Sequence, residues 1–484
     1  MRLQHTGDAA AAALKVAQAG DEAADTRAAT LDLLRKYDRP GPRYTSYPTA
    51  VEFHARFGPE DYRSRLQEAA GRRDEPLSLY VHLPFCEERC TFCGCTVIIT
   101  KKREVAGRYL EYLYREIELV SDALGGRRRT VQYHWGGGTP SYLSPDQMAR
   151  LHDAVLRHFD VAPDGELAVE VDPRVTTTDH LKTLGELGFN RLSLGVQDFT
   201  PEVQSAVNRI QSFDDTRAVV EGARRFGFLS VNIDLIYGLP LQTVASFGQS
   251  VEAVIGLRPD RLAVYSFAHV PWIRGNQKRL RPEDLPPPDL KLQLFAEARA
   301  RFLAAGYRAI GMDHFALPDD ELARAAAAGT LHRNFMGYTT RPAPDMIGLG
   351  VSAIGEVAGA FSQNTKKLSS YYAAIDGGNF PVERGCVLEF DDLVRRHVIT
   401  QLMCNFRLDI RDVERRFQVE FSRYFAHELA DLSEGPVAHG FLEQNDGWLA
   451  VTPPGRLFVR NICMAFDRYL RTKSADVPVF SRTV

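Results

Sequence analysis

From Leu79 to about residue 267, short apolar runs alternate with amphipathic stretches at a steady interval. The runs Leu79 to Leu83, Thr130 to Trp135, Leu167 to Val171, Arg191 to Gly195, Leu229 to Leu235 and Arg261 to Phe267 predict strands. Between them, Val105 to Ala123, Pro145 to His158, Thr178 to Leu187, Asp214 to Phe226 and Val244 to Leu257 carry apolar residues at helical spacing. Crossovers of this length are what a parallel sheet requires. The expected fold is therefore α/β, a partial (β/α)6 barrel of the TIM type. Further βα material after Asp289, a helix to Ala305 and then Arg308 to Met312, extends the wall.

The flanks break this rhythm. Residues 1–32 form an alanine-rich N-terminal extension, and 33–78 an arm and entry segment. Within the arm, Arg39 to Thr49 is rich in Pro, Tyr and Gly, which excludes a helix and suits an ordered aromatic loop lying across another surface. The barrel with its extension spans 79–369, and 370–484 is a mainly helical, winged-helix-like cover domain. There Leu393 to Phe406, Val413 to Leu432 and Leu457 to Leu470 read as helices, Gly447 to Val451 as a strand and Pro453 to Gly455 as a turn.

Composition narrows the class. With 44% hydrophobic and 25% charged residues the chain is globular, and its net charge of -3 argues against a nucleic-acid or anionic-membrane partner. Any anionic substrate must be met by local arginines. The acidic residues Asp8, Asp21, Glu22 and Asp25 among the early alanines do not resemble a secretory leader, and no stretch approaches 18 uncharged apolar residues. Seven cysteines, an odd number, fit a reducing compartment rather than a disulfide framework, so the expected location is cytoplasmic.

Four of those cysteines, Cys86, Cys90, Cys93 and Cys95, fall within ten positions directly after the first strand. The CxxxCxxC spacing offers three soft thiolates in one irregular loop, which suits iron or zinc; Cys95 is awkwardly close to Cys93 to serve the same ion. Three thiolates around a four-iron cluster would leave one iron open to another ligand. Cys386, Cys404 and Cys463 are dispersed and read as core thiols.

Polar and glycine residues recur near the ends of the later strands. Gly136, Gly137, Gly138 and Thr139 follow the second strand without matching a phosphate loop, and allow a close approach, such as a cradle for the amino group of a small ligand. Glu170, Gln197, Arg209 and Asp234 supply acceptors for hydroxyls and a positive group for a carboxylate. In barrels, those ends form the active face. Arg333 to Thr340, Gly348 to Gly355 and Gln363-Asn364 add a wall of glycine and hydroxyl residues.

The stretch His82 to Cys95 resembles the radical S-adenosylmethionine superfamily. Arg43-Tyr-Thr-Ser-Tyr-Pro-Thr49, Cys93-Gly-Cys95, Trp135-Gly-Gly-Gly-Thr-Pro140, Glu170-Val-Asp-Pro-Arg174, Gly195-Val-Gln-Asp-Phe199, Asn232 to Pro240 and Arg333-Asn-Phe335 resemble the oxygen-independent coproporphyrinogen III oxidase family, over about residues 33 to 484. That resemblance implies one [4Fe-4S] cluster on Cys86, Cys90 and Cys93. It implies two S-adenosylmethionine molecules, the first near Tyr80, Gly137, Glu170, Ala268 and Ile354. The second lies near Phe92, Gly138, Thr139, Gln197, Arg209 and Asp234, with Cys95 beside the ligands but outside the cluster. The implied reaction cleaves the sulfonium to methionine and a 5′-deoxyadenosyl radical, removes a hydrogen from a propionate β-carbon, and releases CO2 to leave a vinyl group. Two such events convert coproporphyrinogen III to protoporphyrinogen IX in haem biosynthesis. A low-potential donor such as flavodoxin or ferredoxin is the implied electron source, Arg43 the candidate for holding a substrate carboxylate, and a monomer the expected state. The alternatives are a haem-trafficking or haem-modifying relative with the same cluster loop, and a metal-stabilised binding module without catalysis.

Overall fold

The computed structural model describes residues 33, 36–126, 129–471 and 480–483. The alanine-rich extension expected at 1–32 lies outside the described residues.

Six parallel strands run β1 (Leu77–Leu83), β2 (Arg129–Gly137), β3 (Asp160–Val171), β4 (Arg191–Gln197), β5 (Ser230–Tyr237) and β6 (Arg261–Ser266), each paired with the next. Their crossover helices are α1 (Glu104–Leu124), α2 (Pro145–Leu156), α3 (Thr178–Glu186), α4 (Phe213–Arg225) and α5 (Val244–Leu257). Four of these helices start where a hydroxyl caps them, with Ser144, Thr177, Ser212 and Thr243 each accepting a bond from a first-turn N–H. On α1, Ala106, Tyr109, Leu113, Ile117, Val120 and Leu124 form one buried stripe, which seats the helix on the sheet. The expected α/β partial barrel is thus the observed fold. The third strand begins at Asp160, well before the expected Leu167, with its register shifting opposite Thr130 and Gln132.

Both edges differ from the expectation. After β6 the chain adds two short antiparallel strands, β7 (Arg308–Ile310) and β8 (His314–Ala316), with β8 the one that pairs with β6. The next strand of this sheet, β9 (Asp345–Leu349), crosses to the opposite edge and lies parallel to β1. Antiparallel strands β10 (Ile354–Val357), β11 (Ala360–Asn364) and β12 (Val382–Val387) complete a twelve-stranded sheet. The sheet therefore runs past residue 370, where the hydrophobic rhythm ends.

The C-terminal part packs around its own core, with Val398, Leu402, Phe441 and Phe458 joined by Tyr37, Tyr44 and Tyr47 of the arm. The arm does lie across a surface: Tyr44 donates to Asp467 (3.0 Å), and Arg460 donates to the Pro42 carbonyl (3.1 Å). The helix expected over 413–432 is three pieces, Ile410–Phe417, Phe421–Tyr424 and Ala426–Leu432, since Gln418 turns left-handed (φ 54°). The last helix is likewise divided into Val459–Ala465 and Arg468–Arg471, where Asp467 caps Tyr469 (3.0 Å). A small sheet of 407–409, 448–451 and 442–444 supplies the wing.

Candidate active site

A cavity of about 200 Å³ opens at the C-terminal ends of β1 to β5. It gathers Cys86, Cys90, Phe92, Cys93, Cys95, Gly137, Gly138, Thr139, Glu170, Gln197, Arg209 and Asp234, residues spread over 149 positions of sequence. Four expected residues do not line it. Tyr80 is half-buried on β1, Ile354 stands at the start of β10, and Ala268 follows β6. Arg43 lines a separate cavity of about 50 Å³, where it donates to the Ser266 carbonyl (2.6 Å) and lies 3.7 Å from Asp313.

The cysteine loop is held from three directions. The ring of His82 donates from Nε2 to the Thr96 carbonyl (3.0 Å) and receives the Tyr80 hydroxyl at Nδ1 (3.0 Å), and burial keeps it neutral. The Asn276 amide donates to the carbonyls of Thr91 (2.9 Å), Cys93 (3.0 Å) and Cys90 (3.3 Å). Buried Gln277 bridges the carbonyls of Phe92 and Ala268, both at 3.0 Å, which ties the Ala268 loop to the cysteines. Asn276, Gln277 and His82 had no functional reading in the sequence: amides in a polar loop carry no local signal, and only the position of His82 at a strand end hints at its place.

Below the loop, Asp172 forms a fork with two arginines, Arg174 Nη2 at 2.6 Å and Arg209 Nη1 at 3.0 Å. Burial pushes the Asp172 carboxyl up, but the two guanidinium charges outweigh it and hold it below the ordinary range. Both arginines reach Cys90 Sγ, at 3.7 Å from Arg209 and 3.9 Å from Arg174. Burial raises the Cys86 thiol to about 11, whereas Cys93 is lowered by its bond with Cys95 and by Arg89 and Arg209. The Cys95 thiol rises as it donates to Cys93.

The triple glycine permits the close approach that its composition suggests. A Cβ on Gly137, whose φ is +111°, would sit 2.4 Å from the His82 ring, and one on Gly138 would sit 2.6 Å from the Pro84 backbone. These glycines let β2 press against the cysteine loop itself. The Gly137 N–H donates to Glu170 (3.1 Å), as does His134 (3.2 Å), so Glu170 stays below its usual range although burial alone would raise it. Asp234 is pushed up to about 6, chiefly by burial, despite the Asn232 amide at 2.7 Å.

These donors fit a thiolate-bound cluster with a polar organic ligand. The three sulfurs are uncommitted to disulfides, two guanidinium groups stand over one of them, and Gln197 Oε1 and Arg209 Nε are buried with no partner among the described residues. Buried polar atoms left unsatisfied are rare and point to a missing ligand or water.

An open parallel βα sheet with a CxxxCxxC loop at its strand ends defines a class, the radical S-adenosylmethionine enzymes. The family model described as the Radical SAM superfamily matches residues 80–254, and the one described as the HemN C-terminal domain matches 388–458. Oxygen-independent coproporphyrinogen III oxidase from Pseudomonas aeruginosa is 48% identical over 455 residues, 94% of this chain and 98% of that one. The protein of the same description from Escherichia coli is 47% identical over the same shares. A solved structure, described as coproporphyrinogen III oxidase (HemN) from Escherichia coli, a radical SAM enzyme, superposes with a TM-score of 0.84 at 46% identity, covering 88% of this chain and 97% of that one. The chain belongs to the oxygen-independent coproporphyrinogen III oxidase family. No helix among the described residues is long and apolar enough to cross a membrane.

Proposed function

We infer that this chain is the oxidoreductase that decarboxylates two propionate side chains of coproporphyrinogen III to vinyl groups, giving protoporphyrinogen IX for haem biosynthesis without oxygen. The observation that carries this is the convergence of three thiols, Glu170, Gln197, Arg209 and Asp234 on one cavity, in a chain with relatives 47–48% identical over 94% of its length.

Cys86, Cys90 and Cys93 hold the [4Fe-4S] cluster, and Cys95 stays outside it. Tyr80, Gly137, Glu170, Ala268 and Ile354 surround one S-adenosylmethionine; Phe92, Gly138, Thr139, Gln197, Arg209 and Asp234 surround a second. When bound, the cluster supplies the electron that splits the sulfonium and yields a carbon radical. The protein's own part is orientation and exclusion of water, because a primary alkyl radical survives only where solvent cannot quench it. The Asp172 fork fixes Arg209 against Cys90, and Glu170, held ionised by His134 and the Gly137 N–H, is an acceptor for a ligand ammonium. The electron arrives from a low-potential protein such as a flavodoxin or ferredoxin, and the chain acts as a cytoplasmic monomer.

The test is anaerobic reconstitution followed by addition of coproporphyrinogen III, S-adenosylmethionine and a low-potential reductant. Protoporphyrinogen IX, CO2 and two methionines per macrocycle are expected. Cleavage of S-adenosylmethionine with no decarboxylated tetrapyrrole would overturn the substrate assignment.

A further inference from the structure

Three cations approach one another from opposite flanks of the open sheet, one of them beside the cysteine loop. Arg384 lies in β12 opposite Gln363 of β11, which lies opposite Ile354 of β10, so the three residues form a row at the end of the sheet that carries the cavity. Lys366 follows β11 at that same end. Arg274 comes from the other flank, in the loop after β6, and its Nε lies 3.9 Å from where a Cβ on Gly94 would stand.

Among the described residues none of the three has a carboxylate at ion-pair distance, which sets them apart from most arginines around the barrel. Arg384 is anchored by Nε to Gln363 (2.7 Å), and Gln363 in turn reaches the Ser352 carbonyl (3.3 Å). Arg274 is two residues from Asn276, the amide that grips the cysteine loop. Lys366 is close enough to both that, after burial, their like charges lower its ammonium, with Glu383 the opposing charge. Beside Arg274, Trp272 and Ile273 are 52% and 53% exposed, an apolar step next to unpaired positive charge.

We propose that Arg274, Lys366 and Arg384 form a carboxylate clamp that receives the propionate rim of the tetrapyrrole, whose apolar edge lies on Trp272 and Ile273. This rests on the substrate reading above and deepens it. Anchored arginines present their donors to carboxylates without further ordering, and binding energy from carboxylates remote from the reacting one orients that one toward the cavity.

The probe is coproporphyrin III, the stable oxidised macrocycle with the same four propionates, titrated by fluorescence against the anaerobically reconstituted full chain. Combining Arg274→Gln, Lys366→Gln and Arg384→Gln should weaken binding at least about tenfold, while iron content and affinity for S-adenosylmethionine remain at the wild-type level. Arg384→Lys alone should retain most of the affinity, and wild-type binding should weaken with added salt. Unchanged coproporphyrin III affinity in the triple variant overturns the proposal, as does a loss of S-adenosylmethionine affinity in its place, which would assign the cations to the methionine carboxylate. A wild-type chain that binds the porphyrin through these residues yet converts no coproporphyrinogen III leaves the clamp standing and removes the proposed reaction.

Discussion

The His82 ring occupies the space that a side chain at Gly137 would need, with its Cε1 2.4 Å from that Cβ position, while its Nε2 holds the Thr96 carbonyl at 3.0 Å. One imidazole thus sets the spacing between the end of β2 and the end of the cysteine loop. Gly137→Ala would force the ring away and place an alanine at φ +111°, at a cost of about 1–3 kcal/mol. The expected outcome is a lower thermal midpoint together with reduced iron retention after reconstitution. Wild-type values for both would mean that His82 moves aside without consequence for the loop.

Cys90 and Cys95 should separate cleanly. Cys90 Sγ lies under the guanidinium groups of Arg174 and Arg209, whereas the Cys95 thiol is raised by donating to Cys93. Cys90→Ser is expected to give a colourless protein without iron, and Cys95→Ser to keep iron near the wild-type level. Iron analysis beside the visible spectrum decides it, and equal loss in both variants would make Cys95 a ligand.

Asp172 neutralises two arginines in a site where its own side chain and that of Arg209 are each 9% exposed. Asp172→Asn leaves that buried charge uncompensated, which costs on the order of 3–5 kcal/mol at pH 7. Because the folded carboxyl is held below its unfolded value of about 3.9, its contribution is complete above that pH and disappears as pH falls through the folded value. Urea midpoints of wild type and variant should therefore differ most near neutrality and converge in acid. A gap that stays constant with pH would locate the effect elsewhere.

Asn276→Ala removes the one amide nitrogen that serves three carbonyls of the cysteine loop, together with the oxygen that accepts from Arg89 (3.4 Å). Unsatisfied carbonyls there cost about 1–3 kcal/mol locally. Global melting should change little while iron is lost faster to a chelator. Identical chelation kinetics would show that Gln277 and His82 suffice.

Much of the fold was legible because its signals are local. Strand ends, helix stripes and hydroxyl caps repeat within thirty-odd residues, and CxxxCxxC is one short loop. What escaped depends on distance. Asn276 lies 186 positions from the carbonyl of Cys90, and nothing in a loop asparagine announces that contact. The return of β9 to pair with β1 leaves no local trace either, because nothing in Asp-Met-Ile-Gly-Leu names the strand beside which it will lie. The contacts of Arg43 with Ser266 and Asp313, made while its arm docks on the cover domain through Tyr44 and Tyr47, are likewise unannounced by its neighbours in sequence. The triple glycine shows the same limit: composition says that something approaches closely, and only the structure says that it is His82 and the Pro84 backbone.

Glu116 is the charge that an amphipathic helix would normally turn to water, yet on α1 it is 1% exposed. It accepts from the Gly350 N–H, the Tyr371 hydroxyl and the Asn364 amide, each at 2.7 Å. Tyr109, on the same helix, donates to the His82 carbonyl (2.8 Å) and accepts from the Val351 N–H (3.0 Å). The pair thereby clamps the turn after β9 to the strand that leads into the cysteines. Burial pushes the Glu116 carboxyl up to about 7 despite those three donors. The folded chain then keeps a proton that the unfolded chain has released above about pH 4.3, so this contribution to stability is complete below that pH and is lost as pH rises through 7. Its size is on the order of 3 kcal/mol. Glu116→Ala should be less stable than wild type throughout, with the larger deficit at pH 5 and the smaller at pH 8, as read from denaturant midpoints. A deficit that grows with pH would mean that Glu116 is ionised in the folded chain and that its three donors outweigh its burial.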